Sequence, residues 1–144
     1  IASYRDGVWS EAEIRVTGPL EIHPAAHALH YGSSCFEGFK AYRRADGSVQ
    51  VFRMDRHVAR MVQSARALVL PEPDPKQLAS MVTTLVERCR DDVPEAPGAL
   101  YLRPLLFGTM PNIGAAATPS TEALLVVLAS PVWDYFAGGM KPLK

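Results

Sequence analysis

Apolar residues recur with a period of two in some segments and of about 3.6 in others, which predicts a mixture of strands and helices. Segments with the length and composition of strands are residues 4–10, 20–23, 99–107 and 122–132. A β-hairpin is predicted over residues 38–53, where the turn Asp46-Gly47 separates two further short strands, 39–44 and 49–53.

Two amphipathic helices are predicted between this hairpin and the strand at 99–107. The first has Asp55 as its expected N-cap, and its apolar stripe comprises Val58, Met61, Val62, Ala65, Leu68 and Val69. The second has Asp74 as N-cap and Pro75 at its first position. Its stripe comprises Leu78, Met81, Val82, Leu85, Val86 and Cys89.

The order of these elements lacks a repeated strand–helix–strand alternation, and hairpins dominate it. Residues 27–38 are rich in small residues and glycine, which predicts an irregular turn or one helical turn before the hairpin. The predicted fold class is therefore α+β, a mainly antiparallel sheet with two helices packed on one face.

Composition narrows the possible functions. The chain has 144 residues, a formal net charge of zero and two cysteines, which suits one domain with its own core. A neutral chain without a basic block does not fit a nucleic-acid or anionic-membrane binder. Two cysteines make neither a disulfide framework nor a metal site, so we expect no metal and a reducing, cytoplasmic compartment. Nucleotide-loop, serine-hydrolase and zinc-protease motifs are absent.

The strand at 99–107 carries an arginine, Arg103, near the centre of an otherwise apolar run. Alternation places Tyr101 and Arg103 on one face of that strand. A guanidinium stays charged, so burying it requires an anion. Two interpretations remain open: a structural ion pair, for which Glu37 is one candidate partner, or a ligand anion. Pro104 lacks an N–H, which predicts a sheet edge or a bulge at this position.

Several other residues allow both a structural and a functional interpretation. They are Gly38, the histidines His27 and His30, the arginines Arg53, Arg56 and Arg60, and the aromatic run at 133–136. A glycine that opens a strand permits close approach of another backbone or a ligand. The two histidines lack a third metal ligand at useful spacing, which favours a structural role. The arginines suit either a solvated face or a phosphate.

Four motifs follow one another in a specific order and spacing. They are Ala28-Leu-His-Tyr31, Phe36-Glu-Gly-Phe-Lys-Ala-Tyr42, Val51-Phe-Arg-Met-Asp55 followed by Arg60 and Ser64-Ala65, and Leu100-Tyr-Leu-Arg-Pro-Leu105. Together they resemble the smaller, N-terminal domain of branched-chain amino-acid aminotransferases, which are fold-type IV (class IV) pyridoxal-phosphate enzymes. The resemblance implies that residues 1–132 form this small domain and that 133–144 begin an interdomain linker.

The resemblance also implies a role for individual residues. Arg60 would hold the phosphate of pyridoxal 5'-phosphate. The substrate would be bound by Tyr31, Phe36, Gly38, Tyr101, Arg103 and Tyr135. Within this set, Phe36, Gly38 and Tyr135 would border the pocket for the branched side chain, and Tyr101 and Arg103 would handle the substrate carboxylates. Tyr31 and the loop at 110–118 would reach into the site of the partner subunit.

The activity implied is exchange of an amino group between leucine, isoleucine or valine and 2-oxoglutarate, in a homodimer that binds small amino acids and 2-oxo acids. The family's catalytic lysine belongs to a larger, C-terminal domain, which we expect this chain to lack. None of Lys40, Lys76, Lys141 and Lys144 lies in that lysine's sequence context, so no catalytic residue is expected here, and the chain alone should be inactive. Trp133-Asp134 stands where members of the family usually carry small residues before the tyrosine. This departure affects the expected shape of the substrate pocket.

Two alternatives remain. One is another fold-type IV enzyme, a D-amino-acid aminotransferase or an aminodeoxychorismate lyase, although these do not usually carry a Tyr-x-Arg-Pro strand. The other is a binding or scaffold domain without chemistry.

Overall fold

A computed structural model describes residues 1–114 and 117–133, and its main feature is an antiparallel sheet. The strands are β1 Ala2–Arg5, β2 Val8–Trp9, β3 Ser34–Phe36, β4 Phe39–Arg43, β5 Val49–Val51, β6 Ala99–Gly108 and β7 Ala123–Val132. The helices are α1 His27–Tyr31, α2 Met54–Ala67 and α3 Pro75–Arg88, followed by a 3₁₀ turn at Arg90–Asp92. The strand order is β2-β1-β7-β6-β4-β5, and β3 also pairs with β6. The predicted α+β class is confirmed.

The two longest strands, β6 and β7, form the centre of the sheet and pair from Ala99↔Val132 to Gly108↔Ala123. One face of β6, carrying Leu100, Leu102 and Leu106, is fully buried. It packs with α2 and α3 in the main hydrophobic core, whose helical members are Val58, Met61, Ala65, Leu78, Met81, Val82 and Val86. Both predicted helices therefore lie on one face of the sheet, and burial of that face is the main source of stability.

The opposite face of the sheet carries Arg103 and is called the open face below, because several of its side chains in the described residues are accessible to solvent. The strand register places Phe36, Gly38, Lys40, Tyr101, Arg103, Leu105, Leu128 and Ser130 on it. Phe36 is 58% exposed and Leu128 is 42% exposed. Large apolar side chains are thus left accessible beside a charged one.

The prediction that Pro104 lies at a sheet edge or a bulge is wrong, because β6 is an internal strand. The register runs unchanged from Phe36↔Leu105 to Phe39↔Leu102, so Glu37 and Gly38 lie opposite Pro104 and Arg103. The Glu37 N–H donates to the Pro104 carbonyl oxygen at 2.9 Å, whereas proline has no N–H to return. The strand ladder therefore loses one bond, and this break separates β3 from β4.

The two long helices differ in how well their ends were predicted. In α3, the Asp74 side chain accepts a hydrogen bond from the Lys76 N–H at 2.8 Å and Pro75 begins the helix, as predicted. In α2, the Asp55 N-cap is wrong: the helix begins at Met54, after Arg53 in a left-handed conformation.

The other end of α2 also differs from the predicted apolar stripe. Val69, with φ 54°, turns the chain, and the Leu70 N–H donates back to the Ala65 carbonyl oxygen at 2.9 Å, as at a Schellman-type helix end. This turn brings Leu70 into the core and leaves Leu68 and Val69 exposed, so the last two residues of the stripe were wrongly assigned.

The N-terminal segment also differs from its prediction. Residues 4–10 are not one strand, because Asp6 and Gly7 have positive φ (51° and 82°) and form a tight turn between β1 and β2. Residues 20–23 contain no strand. The hairpin of β4 and β5 around Asp46-Gly47 is confirmed, as are the single helical turn α1 and the last strand, β7.

Candidate functional site

The open face holds a compact cluster around Arg103. The Tyr101 hydroxyl oxygen accepts hydrogen bonds from Arg103 Nε at 3.1 Å and Nη2 at 2.6 Å. The Arg103 guanidinium carbon lies 4.2 Å from the centroid of the Phe36 ring and 5.2 Å from that of Tyr101. Both rings stabilise the cation through their π faces. The structure thus brings together three of the predicted substrate-binding residues.

Gly38 belongs to the same cluster for a steric reason. A Cβ atom at this position would lie 2.1 Å from the Tyr101 hydroxyl oxygen. The sequence predicted a close approach by a backbone or a ligand, and the group that approaches is the Tyr101 phenol. Gly38 therefore leaves the space in which the phenol reaches Arg103.

Within the described part of the chain, no carboxylate lies within ion-pair distance of Arg103. Glu37 is not its partner, because alternation puts the Glu37 side chain on the helix-covered face. Arg103 is half-buried, and a partly desolvated guanidinium beside two aromatic rings is well suited to bind a carboxylate. Of the two interpretations left open by the sequence, the geometry favours the ligand anion.

Glu37 binds Arg60 and His57 of α2 instead. Its carboxylate accepts from Arg60 Nε at 2.5 Å, from Arg60 Nη2 at 2.6 Å and from His57 Nδ1 at 3.1 Å. Burial raises the pKa of the Glu37 carboxyl, but the hydrogen bonds from Arg60 and His57 lower it, and the resulting pKa lies below its ordinary value. The pKa of Arg60 is raised by its hydrogen bonds to Glu37.

Arg60 and the cluster on the open face do not touch. They lie on the two sides of the same short segment, Glu37-Gly38, and no strand pairs with the outer side of β3 in the described residues. The Arg60 side chain is 61% exposed, whereas that of Glu37 is 4% exposed. A phosphate contact for Arg60 stays a prediction that this exposure permits.

Tyr31 lies apart from the other predicted substrate residues, on the short helix α1. Its hydroxyl oxygen accepts a hydrogen bond from the Gly114 N–H at 2.7 Å. The same loop is bound by the N–H of His27, which donates to the Met110 carbonyl oxygen at 3.0 Å. Helix α1 and residues 110–114 of the loop therefore form one hydrogen-bonded unit. The expectation that Tyr31 and the loop reach into the partner subunit's site stays a prediction.

The remaining candidate residues either contact other protein groups or lie outside the residues that the structure describes. Nδ1 of buried His27 lies 2.8 Å from Ser33 Oγ, and His30 Nε2 lies 2.8 Å from the Pro24 carbonyl oxygen, so both histidines bind protein atoms. Arg56 lies 3.6 Å from Asp55 on an exposed surface. Tyr135 lies outside the described residues.

Sequence reasoning missed three residues near the site. Glu37 was considered only as a partner of Arg103, and His57 was not considered. Lys40 lies directly opposite Tyr101 on the open face and could have been found by counting alternate positions from Gly38.

Burial and the Glu37 charge raise the pKa of the neighbouring Cys35 thiol to about 11, so that thiol is not a reactive nucleophile at neutral pH.

A groove of about 550 Å³ in the described residues is lined by Tyr4, Arg66, Leu70, Pro119 and Thr121 among others. It does not include Arg103, whose cluster lies on a sheet face that forms only one wall. No helix in the described part of the chain is long and apolar enough to cross a membrane.

Comparison with known proteins identifies the family. The model of the family "Amino-transferase class IV" matches residues 34–137. The branched-chain-amino-acid aminotransferase of Mycolicibacterium smegmatis is 41% identical over 141 residues, covering 96% of this chain and 38% of that protein. The chloroplastic branched-chain-amino-acid aminotransferase 5 of Arabidopsis thaliana is 39% identical, covering 97% and 34%. The chain thus spans between about a third and two fifths of the length of these curated relatives.

Solved structures agree with this assignment. A branched-chain amino acid aminotransferase from T.th., complexed with N-(5'-phosphopyridoxyl)-L-glutamate, superposes with a TM-score of 0.67 at 27% identity, covering 93% of this chain and 40% of that one. The branched-chain aminotransferase of Thermoproteus uzoniensis with norvaline shares the fold, with a TM-score of 0.68 at 23% identity over 95% of this chain and 42% of that one. On these grounds the chain belongs to the class IV aminotransferase family.

Proposed function

We propose that this chain is the smaller, N-terminal part of a pyridoxal-phosphate-dependent transaminase acting on branched-chain L-amino acids and 2-oxoglutarate. The observation that carries the proposal is the Arg103 guanidinium on the open face, bound by Tyr101 and Phe36 and without a carboxylate partner in the described residues. The names of the curated relatives support the branched-chain assignment.

The two substrates of such an enzyme differ in charge, and the open face offers a group for each. A second carboxylate, as in glutamate or 2-oxoglutarate, fits the N–H groups of Arg103 that Tyr101 does not use. A branched hydrocarbon side chain fits the exposed apolar surface of Phe36 and Leu128. One wall can therefore accept both a carboxylate and an aliphatic side chain.

The residues present fit one phosphate contact of the cofactor. In the described part of the chain, the Glu37 carboxylate uses Arg60 Nε and one hydrogen of Nη2, so the Nη1 and Nη2 end of the exposed guanidinium remains for an anion. A solved relative carries a phosphopyridoxyl group joined to glutamate in one molecule. When bound, pyridoxal phosphate supplies the electron sink for amino-group transfer, and the lysine that serves it is proposed to lie in the larger domain.

The domain division and the assembly are also proposals. Strand β7 ends at Val132, which supports residues 1–132 as the small domain and 133–144 as the start of a linker. The unit of α1 and the loop, joined through Tyr31 and Gly114, is proposed to reach the partner's site in a homodimer. A cytoplasmic location is proposed for the enzyme.

The test is a transamination assay on the full-length protein. We expect L-leucine, L-isoleucine and L-valine to be converted with 2-oxoglutarate as acceptor, with glutamate formation measured directly by NMR. Turnover of D-alanine instead, or release of pyruvate from aminodeoxychorismate, would point to the other fold-type IV activities. No turnover of any of these by a folded, cofactor-loaded protein would favour a scaffold domain.

A further inference from the structure

Helix α2 carries two arginines, Arg60 and Arg66, that each bind a glutamate outside the helix with the same geometry, but the two glutamates differ in burial. Arg60 binds Glu37 through Nε and Nη2, and Arg66 binds Glu72 through the same two nitrogens at 2.9 and 2.8 Å. The Glu72 side chain is 43% exposed, whereas that of Glu37 is 4% exposed. Burying a carboxylate costs free energy. The burial of Glu37 therefore indicates a role that the exposed Glu72 does not have.

The surroundings of Glu37 fix its carboxylate firmly. Its N–H donates to the Pro104 carbonyl oxygen at 2.9 Å, which anchors it to β6. Its carboxylate also accepts from His57 Nδ1, and because an ionised carboxylate can only accept, Nδ1 carries the hydrogen. The His57 ring in turn stacks on Phe39, with centroids 4.6 Å apart and 13° between the planes. The carboxylate is therefore held independently of Arg60.

A guanidinium is planar and offers two edges to anions. The Glu37 carboxylate occupies the edge made by Nε and Nη2, so the edge made by Nη1 and Nη2 is left in a fixed orientation. The Arg60 side chain is 61% exposed, and an exposed arginine otherwise samples many rotamers. The buried carboxylate thus orders a side chain that would be mobile in its absence.

We propose that Glu37 is a positioning residue for the cofactor: it holds Arg60 so that the free edge of the guanidinium is preset for the cofactor phosphate. This inference rests on the proposed function, in which Arg60 binds that phosphate. Glu37 does not touch the cofactor and acts only through Arg60. The contribution of Glu37 is to remove the cost of ordering Arg60 when the phosphate binds.

The experiment uses the full-length apo protein and measures the Kd for pyridoxal phosphate and for pyridoxal, which lacks the phosphate, by fluorescence titration. We expect Glu37→Gln to raise the Kd for pyridoxal phosphate about tenfold, the ordering cost of one long side chain, and to leave the Kd for pyridoxal unchanged. The ³¹P NMR shift of the bound phosphate should move in the same variant. Glu72→Gln, which breaks the matched pair that Arg66 of the same helix forms, should change neither quantity.

A double-mutant cycle tests whether Glu37 acts through Arg60. In the Arg60→Ala background, Glu37→Gln should have no further effect on the Kd for pyridoxal phosphate, since there is no guanidinium to orient. If Glu37→Gln does not yield folded apo protein, Glu37→Asp keeps the charge but withdraws it by one methylene. It should show a loss of the same phosphate-dependent kind.

The inference is overturned if Glu37→Gln weakens pyridoxal as much as pyridoxal phosphate, if its effect adds to that of Arg60→Ala, or if Glu72→Gln has the same effect. It is also overturned if Arg60→Ala leaves the Kd for pyridoxal phosphate unchanged, because Glu37 would then have nothing to position. Failure of the proposed function is a separate result, namely a cofactor-loaded wild-type protein that does not transaminate branched-chain amino acids.

Discussion

Gly38, in the short segment between β3 and β4, lies directly against the Tyr101 side chain of β6: a Cβ atom on Gly38 would lie 2.1 Å from the Tyr101 hydroxyl oxygen and 2.9 Å from its ring carbon Cζ. The same hydroxyl accepts both hydrogen bonds from Arg103. The absence of a side chain at Gly38 therefore determines where the Tyr101 phenol and the Arg103 guanidinium meet on β6.

This contact predicts the effect of Gly38→Ala. The added methyl group should displace the end of the Tyr101 side chain and weaken its hydrogen bonds to Arg103, while the backbone stays in place. We expect the KM for glutamate of the full-length enzyme to rise about tenfold, as the loss of one hydrogen bond of ~1–1.5 kcal/mol implies, with little change in Tm. Gly18→Ala is the matched control, because nothing lies within 4 Å of a Cβ there. A large drop in Tm with an unchanged KM would contradict this prediction.

Replacement of Arg103 tests its carboxylate role directly. Arg103→Met should raise the KM for glutamate by about 10²-fold, as expected for loss of a charged hydrogen bond of ~2–3 kcal/mol. The KM for leucine should change less, because leucine has no second carboxylate. Steady-state kinetics on both substrates decide the outcome, with Arg56→Met, on the exposed surface beside Asp55, as control. Equal losses for both substrates, or unfolding, would indicate a structural role.

The lowered pKa of Glu37 predicts a pH dependence of stability. A carboxyl whose pKa is lower in the folded state stabilises the fold at neutral pH, and this contribution is lost as the pH falls below its ordinary value of 4.5 and through its folded-state pKa. Thermal unfolding of the full-length apo protein between pH 7 and pH 3 should therefore show a decline in Tm on the acid side. Glu37→Gln should have a lower Tm at pH 7 and a shallower acid decline than wild type. Parallel Tm curves for the two proteins would show that Glu37 does not contribute.

The 144-residue chain alone should lack enzymatic activity. Arg60 offers a single phosphate-binding group, which is too little to hold a small anion tightly against the entropy lost on association. We expect no transamination and no visible cofactor absorbance after free pyridoxal phosphate has been removed by gel filtration. A persistent band that borohydride fixes to one of the chain's lysines, together with turnover of leucine, would mean that the chain contains its own catalytic lysine.

Local sequence signals predicted much of the fold. The turn at Asp46-Gly47 and the cap at Asp74 hold because residues within a few positions of one another satisfy the backbone there. Signals of the same kind were misread where two of them competed. At Asp6-Gly7, the turn signal was overlooked because Tyr4, Val8 and Trp9 around it have the composition of a strand. At Val69, the tertiary requirement to bury Leu70 ended α2 before its apolar stripe did.

In the candidate site, too, local sequence signals predicted some of the contacts and the tertiary structure decided the others. By itself, the sequence determined that Tyr101 and Arg103 share a face of one strand, because side chains alternate along a strand with a period of two. Only the tertiary structure decided that Glu37 pairs with Arg60 rather than with Arg103, and that the Tyr101 phenol fills the space beside Gly38. These contacts join residues 23 and 63 positions apart. They depend on the register of β3 and β4 against β6 and on the packing of α2 beneath the sheet, and no local spacing in the chain encodes either.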